Sequence, residues 1–141
     1  VFGRADGFAP TLDLAALNGS DGFRIQAATG DTGAGWRVAP AGDVNGDGRA
    51  DMVISAPRLD TGGHEAGGAY VVFGRSGGFG AVLNLADLDG RNGFEISGEA
   101  TLGFLGGAVS AGDVNGDGYG DLLLTAPGHD GAGVNTGAAY V

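Results

Sequence analysis

The sequence AGDVNGDGRADMVISAP at residues 41–57 recurs as AGDVNGDGYGDLLLTAP at residues 111–127. Each stretch joins an acidic, glycine-rich loop to a short apolar run that ends at Ala-Pro. Apolar runs of this length bounded by Gly and Pro favour β-strands. We therefore predict, in both places, a loop that leads directly into a strand.

The repetition extends over the whole chain. Residues 1–25 (VFGRADGFAPTLDLAALNGSDGFRI) match residues 72–96 (VFGRSGGFGAVLNLADLDGRNGFEI) at an offset of 71, and GGAY at 67–70 matches GAAY at 137–140 at an offset of 70. The two copies therefore differ by an insertion or deletion of one residue, which falls between residues 25 and 41 of the first copy. The chain divides into two periods, 1–71 and 72–141, with the cut inside a strand.

The first period contains four predicted strands, at about residues 36–42, 51–56, 68–74 and 94–98. Four strands per repeat is the number in a β-propeller blade. We therefore predict an all-β fold of two tandem blades, each a four-stranded antiparallel sheet, from about residues 36–98 and from residues 104–141 plus 1–25. The leucine-rich segments at 12–19 and 83–90 fit either one helical turn or an extended outer segment.

The composition excludes several classes of protein. The absence of cysteine excludes disulfides, thiolate catalysis and Cys-ligated zinc. Seventeen acidic residues against seven basic ones give a net charge of −10, which disfavours nucleic acid or an anionic membrane as a partner. No apolar run approaches the roughly 18 residues of a membrane-spanning helix, so membrane insertion is not expected. An acidic surface is better suited to binding a cation than to binding an anionic partner.

Each loop carries the pattern D-x-N-x-D-G-x-x-D, which indicates calcium binding. Calcium takes six to eight oxygen ligands, and alternate residues of a curled loop can direct such oxygens to one centre. Positions one, three and five would supply side chains, position seven its main-chain carbonyl, and position nine a closing carboxylate. Glycine at position six permits the positive φ of a sharp turn. We predict two Ca²⁺ sites, one per repeat, with the ligands Asp43, Asn45, Asp47, Arg49 and Asp51, and Asp113, Asn115, Asp117, Tyr119 and Asp121.

Two other interpretations of these loops are weaker. An EF-hand needs Glu at position twelve, where this sequence has Ile54 and Leu124. Asp, Asn and Gly also favour ordinary hairpin turns. Ordinary turns, however, do not require nine residues of regular acid spacing in two repeats.

The elements around the loops, Phe73-Gly74, Ala56-Pro57 and Ala126-Pro127, resemble the FG-GAP repeats of integrin α-chain propellers. The resemblance covers nearly the whole chain and extends to FG-GAP arrays of large secreted bacterial proteins. It implies propeller blades with a calcium loop between their first two strands, and places the family's ligands at loop positions one, three, five, seven and nine. Integrin-type propellers have seven blades where this chain has two, and many relatives have Asp at position three where this chain has Asn.

We therefore expect a calcium-stabilised scaffold for adhesion or assembly, extracellular or at the cell surface, and not an enzyme. Because two blades cannot close a ring, the expected partners are other blades of the same type. These would belong to a homo-oligomer of, for example, three or four chains, or to the rest of a longer chain. A protein or carbohydrate ligand is a further expected partner. The alternatives are a lectin-like ring and, less favoured, a non-catalytic accessory part of a secreted enzyme.

Three other side chains are assigned no functional role. We expect Trp36 to pack in the core, in preference to a ligand-stacking role. His64 and His129 lie at different places in the repeat, which favours surface positions for both.

Overall fold

The computed structural model describes residues 1–27, 30, 32–107 and 109–141, with residues 109–111 described by their backbone only. Its secondary structure is almost entirely strands. In chain order they are β1 Arg24–Gln26, β2 Val38–Gly42, β3 Asp51–Ala56, β4 Gly68–Val72, β5 Val82–Asn84, β6 Gly93–Ser97, β7 Val109–Gly112, β8 Asp121–Ala126 and β9 Ala138–Tyr140. Single 3₁₀ turns lie at Leu14–Ala16 and Leu85–Asp87. No helix in the described ranges is long and apolar enough to cross a membrane.

The chain forms two compact units. One consists of Val1–Ala28 and Arg75–Asp87, and the other of Thr29–Gly74 and Leu88–Val141. The second unit contains a four-stranded antiparallel sheet in the order β2-β3-β4-β6 and a three-stranded antiparallel sheet in the order β7-β8-β9. The predicted all-β fold of antiparallel sheets is therefore confirmed, with four strands in the first blade and three in the described part of the second.

The four strands of the first blade lie within two residues of their predicted bounds. β4 ends at Val72, two residues before its predicted end, because the following amides bond outside the β3–β4 ladder. The Phe73 N–H donates to the Asn92 carbonyl, and the Gly74 N–H donates to the Asp51 side chain. These two bonds tie the end of β4 to the turn before β6 and to the start of β3.

The core of the second unit lies between its two sheets. Ala41, Val53, Ala69 and Val71 of the first sheet form one buried cluster with Leu105, Leu124 and Ala126 of the second repeat. Val53 and Val71 are register partners on β3 and β4, and both are fully buried. Each buried valine contributes about 1.5 kcal/mol of transfer free energy, so the apolar runs seen in the sequence hold the two sheets together.

The first unit contains the short parallel pair β1 and β5, in which Ile25 lies opposite Leu83. Phe23 stacks on Phe79 with ring centroids 4.1 Å apart, and the Arg75 guanidinium lies over the Phe79 ring, 4.4 Å from its centroid. In the described residues the second sheet has three strands, and β1 pairs with β5. The assignment of residues 1–25 to a blade with residues 104–141 stays a prediction.

Trp36 does not pack in the core. Its side chain is 68% exposed, because residue 36 lies in a turn before β2 where its N–H donates to the Gly33 carbonyl. The repeat alignment places Leu105 or Gly106 opposite it, and both of these residues are buried. The expected core role of Trp36 is therefore wrong.

Candidate functional site

The first acidic loop connects β2 to β3 and is closed by its own side chains. Asp43 accepts the Asp47 N–H at Oδ1 (3.0 Å) and the Gly48 N–H at Oδ2 (2.7 Å). Asn45 Oδ1 also accepts the Asp47 N–H at 3.0 Å, and Asp47 Oδ1 accepts the Arg49 N–H at 2.9 Å. Acceptors at positions one, three and five therefore fold the backbone back on itself.

The second loop, between β7 and β8, repeats this pattern at an offset of 70. Asp113 accepts the Asp117 N–H at 3.0 Å and the Gly118 N–H at 2.9 Å. Asn115 Oδ1 accepts the Asp117 N–H, and Asp117 Oδ1 accepts the Tyr119 N–H, both at 2.9 Å. The same spacing of acids thus gives the same backbone path in two different sheets.

Glycine at position six takes the conformation that the spacing requires. Gly48 has φ of +81° and Gly118 has φ of +90°, which is the region that glycine enters without a steric penalty. The sharp turn predicted at position six is therefore present in both loops.

The aspartate at position nine closes each loop, but the two repeats differ in its surroundings. Asp51 is only 1% exposed and accepts the Val44 N–H at Oδ2 (2.9 Å) and the Gly74 N–H at Oδ1 (2.8 Å). Asp121 is half-buried, and its Oδ2 accepts the Val114 N–H at 2.7 Å. Asp51 therefore links the loop to the end of β4, a contact that the described part of the second repeat does not contain.

Negative charge accumulates at these loops with little compensation. Arg49 Nη1 lies 3.5 Å from Asp47 Oδ2 at the surface of the first loop. No arginine or histidine in the described ranges forms an ion pair with Asp51, nor with the three aspartates of the second loop. Of the six loop aspartates only Asp51 is buried, and because a buried charge is usually paired or bound to a metal ion, this position is suited to a cation.

The two loops also contact each other. The Gly120 N–H donates to the Asp43 carbonyl at 2.9 Å. The ring of Tyr119 lies against Gly46, where an added Cβ would overlap it. The site therefore also includes Gly74, Gly120 and the ring of Tyr119. The sequence did not predict these roles, because each depends on a contact between distant parts of the chain.

The donor set fits calcium by its chemistry. Each loop offers carboxylate, amide and main-chain oxygens without nitrogen or sulfur donors, which is the set that Ca²⁺ takes. In the part of the chain that the structure describes, however, no group of three or more Asp, Glu, His or Cys side chains is arranged to hold a metal ion. The side chains of positions one, three and five accept loop N–H groups instead. The ligand roles, including those of the Arg49 and Tyr119 carbonyls, stay predictions.

Both histidines lie outside the loops. His64 is exposed, 3.6 Å from Asp60. His129 Nδ1 lies 3.5 Å from Glu99 Oε1, and the same oxygen accepts the Tyr140 hydroxyl at 2.7 Å. The expected surface position thus holds for His64, whereas His129 belongs to a small polar cluster that the sequence did not predict.

Comparison with known proteins identifies the repeat. The FG-GAP repeat family matches residues 34–72 and 105–141, together more than half of the chain. Integrin alpha-5 of Xenopus laevis is 32% identical over 112 residues, which cover 76% of this chain and 9% of the relative. Phosphatidylinositol-glycan-specific phospholipase D of Homo sapiens is 35% identical over 94 residues, which cover 66% of this chain and 11% of the relative. The chain thus spans about a tenth of the length of the curated relatives it matches.

Proposed function

Because the chain belongs to the FG-GAP repeat family, with integrin α-like β-propeller blades, we propose that it is a calcium-stabilised scaffold for extracellular adhesion or assembly. The observation that carries this proposal is the pair of acidic loops. Their side chains make the same main-chain hydrogen bonds in both repeats, and each loop joins the first two strands of a sheet. A repeated loop of this kind is a binding element built into the blade.

Calcium would act on stability in this proposal and take no part in a reaction. Asp43, Asn45 and Asp47 in the first loop, with their counterparts in the second, would hold the ion together with the position-nine carboxylate and the position-seven carbonyl. Neutralising three aspartates in each hairpin would remove their mutual repulsion. The loops contact each other through Gly120 and Asp43, so ordering one loop would also order its neighbour.

The same chemistry supports an extracellular location. Extracellular modules bind calcium with dissociation constants of about 10⁻⁴ to 10⁻³ M, and sites of that strength fill only where calcium is near millimolar. We propose on this ground that the chain acts outside the cell or at its surface.

The likeness to a phospholipase favours one further candidate. The chain would then be a non-catalytic part of a larger secreted enzyme. The acidic residues favour a non-catalytic role over a catalytic one. Six of them are the loop aspartates, whose side chains accept hydrogen bonds from main-chain N–H groups. We accordingly propose that this chain itself carries no enzyme activity.

Thermal unfolding with and without calcium tests the proposal. At 1 mM Ca²⁺ and a dissociation constant of about 10⁻⁴ M, each site adds about 1.4 kcal/mol of stability. Two sites give about 3 kcal/mol, or roughly 10 °C in Tm for a chain of this size. We expect Asp47→Ala or Asp117→Ala to halve this increment.

The matched control is Asp6→Ala, which removes one exposed aspartate outside the loops. It should leave the full calcium increment. If wild type and the loop variants gain the same Tm on adding calcium, the ligand assignment is wrong.

A further inference from the structure

Positions seven and eight of the acidic pattern differ between the two repeats. The first loop has Arg49 and Ala50 there, and the second loop has Tyr119 and Gly120. Arg49 turns back on its own loop, where its Nη1 lies 3.3 Å from the Asp47 carbonyl oxygen and 3.5 Å from Asp47 Oδ2. Tyr119 and Gly120 instead contact the first loop. The difference in sequence therefore coincides with the contact between the two loops.

Gly120 contacts the start of the first loop through its main chain. Its N–H donates to the Asp43 carbonyl at 2.9 Å, and an added Cβ at residue 120 would overlap the Ala41 carbonyl. This approach of two main chains therefore depends on the absence of a side chain at residue 120. Asp43 is thus held at its main chain by the second loop, and at its side chain by the Asp47 and Gly48 N–H groups of its own loop.

The ring of Tyr119 covers the turn of the first loop. The Asp47 N–H donates to Asp43 Oδ1 and to Asn45 Oδ1, both at 3.0 Å, which brings positions one, three and five together. The chain makes this turn at Gly46, which has φ of +75° and lies so close to the Tyr119 ring that an added Cβ would overlap it. Glycine loses more conformational freedom on folding than any other residue, so a ring that restricts Gly46 stabilises the closed turn.

We propose that Tyr119 and Gly120 are positioning residues, which hold the first loop closed and thereby raise its affinity for a cation. This role deepens the proposed calcium function and rests on it. A loop that is ordered in advance loses less conformational entropy when an ion binds, so its dissociation constant is lower. The side chain of Tyr119 therefore acts on the first loop, whereas its main-chain carbonyl is a predicted ligand in the second.

The Tyr119 side chain can be changed without removing a predicted ligand. Position seven supplies only its main-chain carbonyl, which alanine retains. The side chain is half exposed at the surface, so Tyr119→Ala should fold. Tyr119→Phe is the matched control, because the atoms that lie against Gly46 are the ring carbons Cδ1, Cε1 and Cζ, which phenylalanine keeps.

Amide-proton exchange with water, measured by NMR in chelator, tests the positioning without calcium. The Gly48 N–H donates to Asp43 at 2.7 Å and the Gly118 N–H donates to Asp113 at 2.9 Å, so each amide reports on its own loop. We expect Tyr119→Ala to speed exchange at Gly48 about fivefold and to leave Gly118 nearly unchanged. Tyr119→Phe should exchange like wild type at both glycines.

A calcium titration followed at the same two amides gives the dissociation constant of each loop in one molecule. Tyr119→Ala should weaken binding at Gly48 about fivefold and leave binding at Gly118 nearly unchanged. Gly120→Ala, whose added Cβ forces the loops apart, should also weaken binding at Gly48. An unchanged Gly48 in Tyr119→Ala, or equal changes at Gly48 and Gly118, would overturn the proposal.

The two readouts separate this role of Tyr119 from the calcium function itself. If both loops bind calcium and Tyr119→Ala leaves Gly48 unaltered, the positioning role fails and the scaffold proposal stands. If neither glycine responds to calcium in the wild-type chain, the calcium function and the effect on affinity both fail.

Discussion

Replacing Asp51 should weaken the fold far more than replacing Asp121, although the two residues occupy the same place in the motif. Asp51→Ala leaves the Val44 and Gly74 N–H groups without their acceptor at a site that is 1% exposed. Hydrogen bonds to a charged group contribute about 1.5–3 kcal/mol each. The loss of two should cost about 4 kcal/mol, a large share of the 5–15 kcal/mol of a typical domain.

Asp121→Ala removes bonds from exposed main-chain groups, Val114 at 2.7 Å and Asn115 at 3.3 Å. Water can replace these bonds, so the expected cost is about 1 kcal/mol. Urea denaturation in chelator, followed by far-UV circular dichroism at low protein concentration, gives both values without a contribution from calcium. Equal losses for the two variants, at unchanged m-values, would refute the argument from burial.

Two further predictions concern the second unit. Gly67 has φ of +77° and lies against the Leu105 backbone. Gly67→Ala should therefore lower the free energy of unfolding by about 3 kcal/mol, as measured by urea denaturation. The control Gly77→Ala should lower it little, because an added Cβ at Gly77 meets nothing within 4 Å. Burial, aided by the nearby Glu95, raises the pKa of Tyr70 from 10.0 to about 12. Because the folded state resists ionisation of this hydroxyl, stability should be unaffected by it below pH 10 and fall as the pH rises from 10 towards 12. Tyr70→Phe should remove that fall, together with the latest phase of the tyrosinate absorbance titration; an unchanged profile would show that another group causes it.

The strands of the first blade were predictable because their signals are local. The apolar runs at 51–56 and 68–72 are bounded by Gly and Pro and are buried on both faces, as such runs favour. The leucine-rich segments, which left two alternatives open, each contain a single 3₁₀ turn, at Leu14–Ala16 and Leu85–Asp87. The second of these segments, residues 83–90, also begins within the extended residues Val82–Asn84, so both alternatives hold in part there.

The parallel pair β1–β5 was not predictable from the sequence. Each strand has three residues, and Gln26 pairs with Asn84, 58 residues away. Periodicity over three residues carries almost no information, and pairing at that distance is decided by tertiary structure. The error at Trp36 arose differently, because a large aromatic side chain was expected to be buried, whereas residue 36 lies in a turn before β2 and is 68% exposed.

The site was predictable in its local part only. The order of acceptors, from Asp43 to Asp47 and from Asp113 to Asp117, follows from the nine-residue spacing, and so does the positive φ of Gly48 and Gly118. The roles of Gly74 and Gly120 depend on amides that reach a loop from elsewhere in the fold. A single sequence contains no local signal for such contacts.

Direct counting of bound calcium tests the central claim most directly. Equilibrium dialysis of the chain in 1 mM Ca²⁺ should give two ions per chain, one ion for Asp47→Ala or Asp117→Ala, and none for the double variant. A wild-type chain that binds no calcium, or variants that bind as many ions as wild type, would contradict the account.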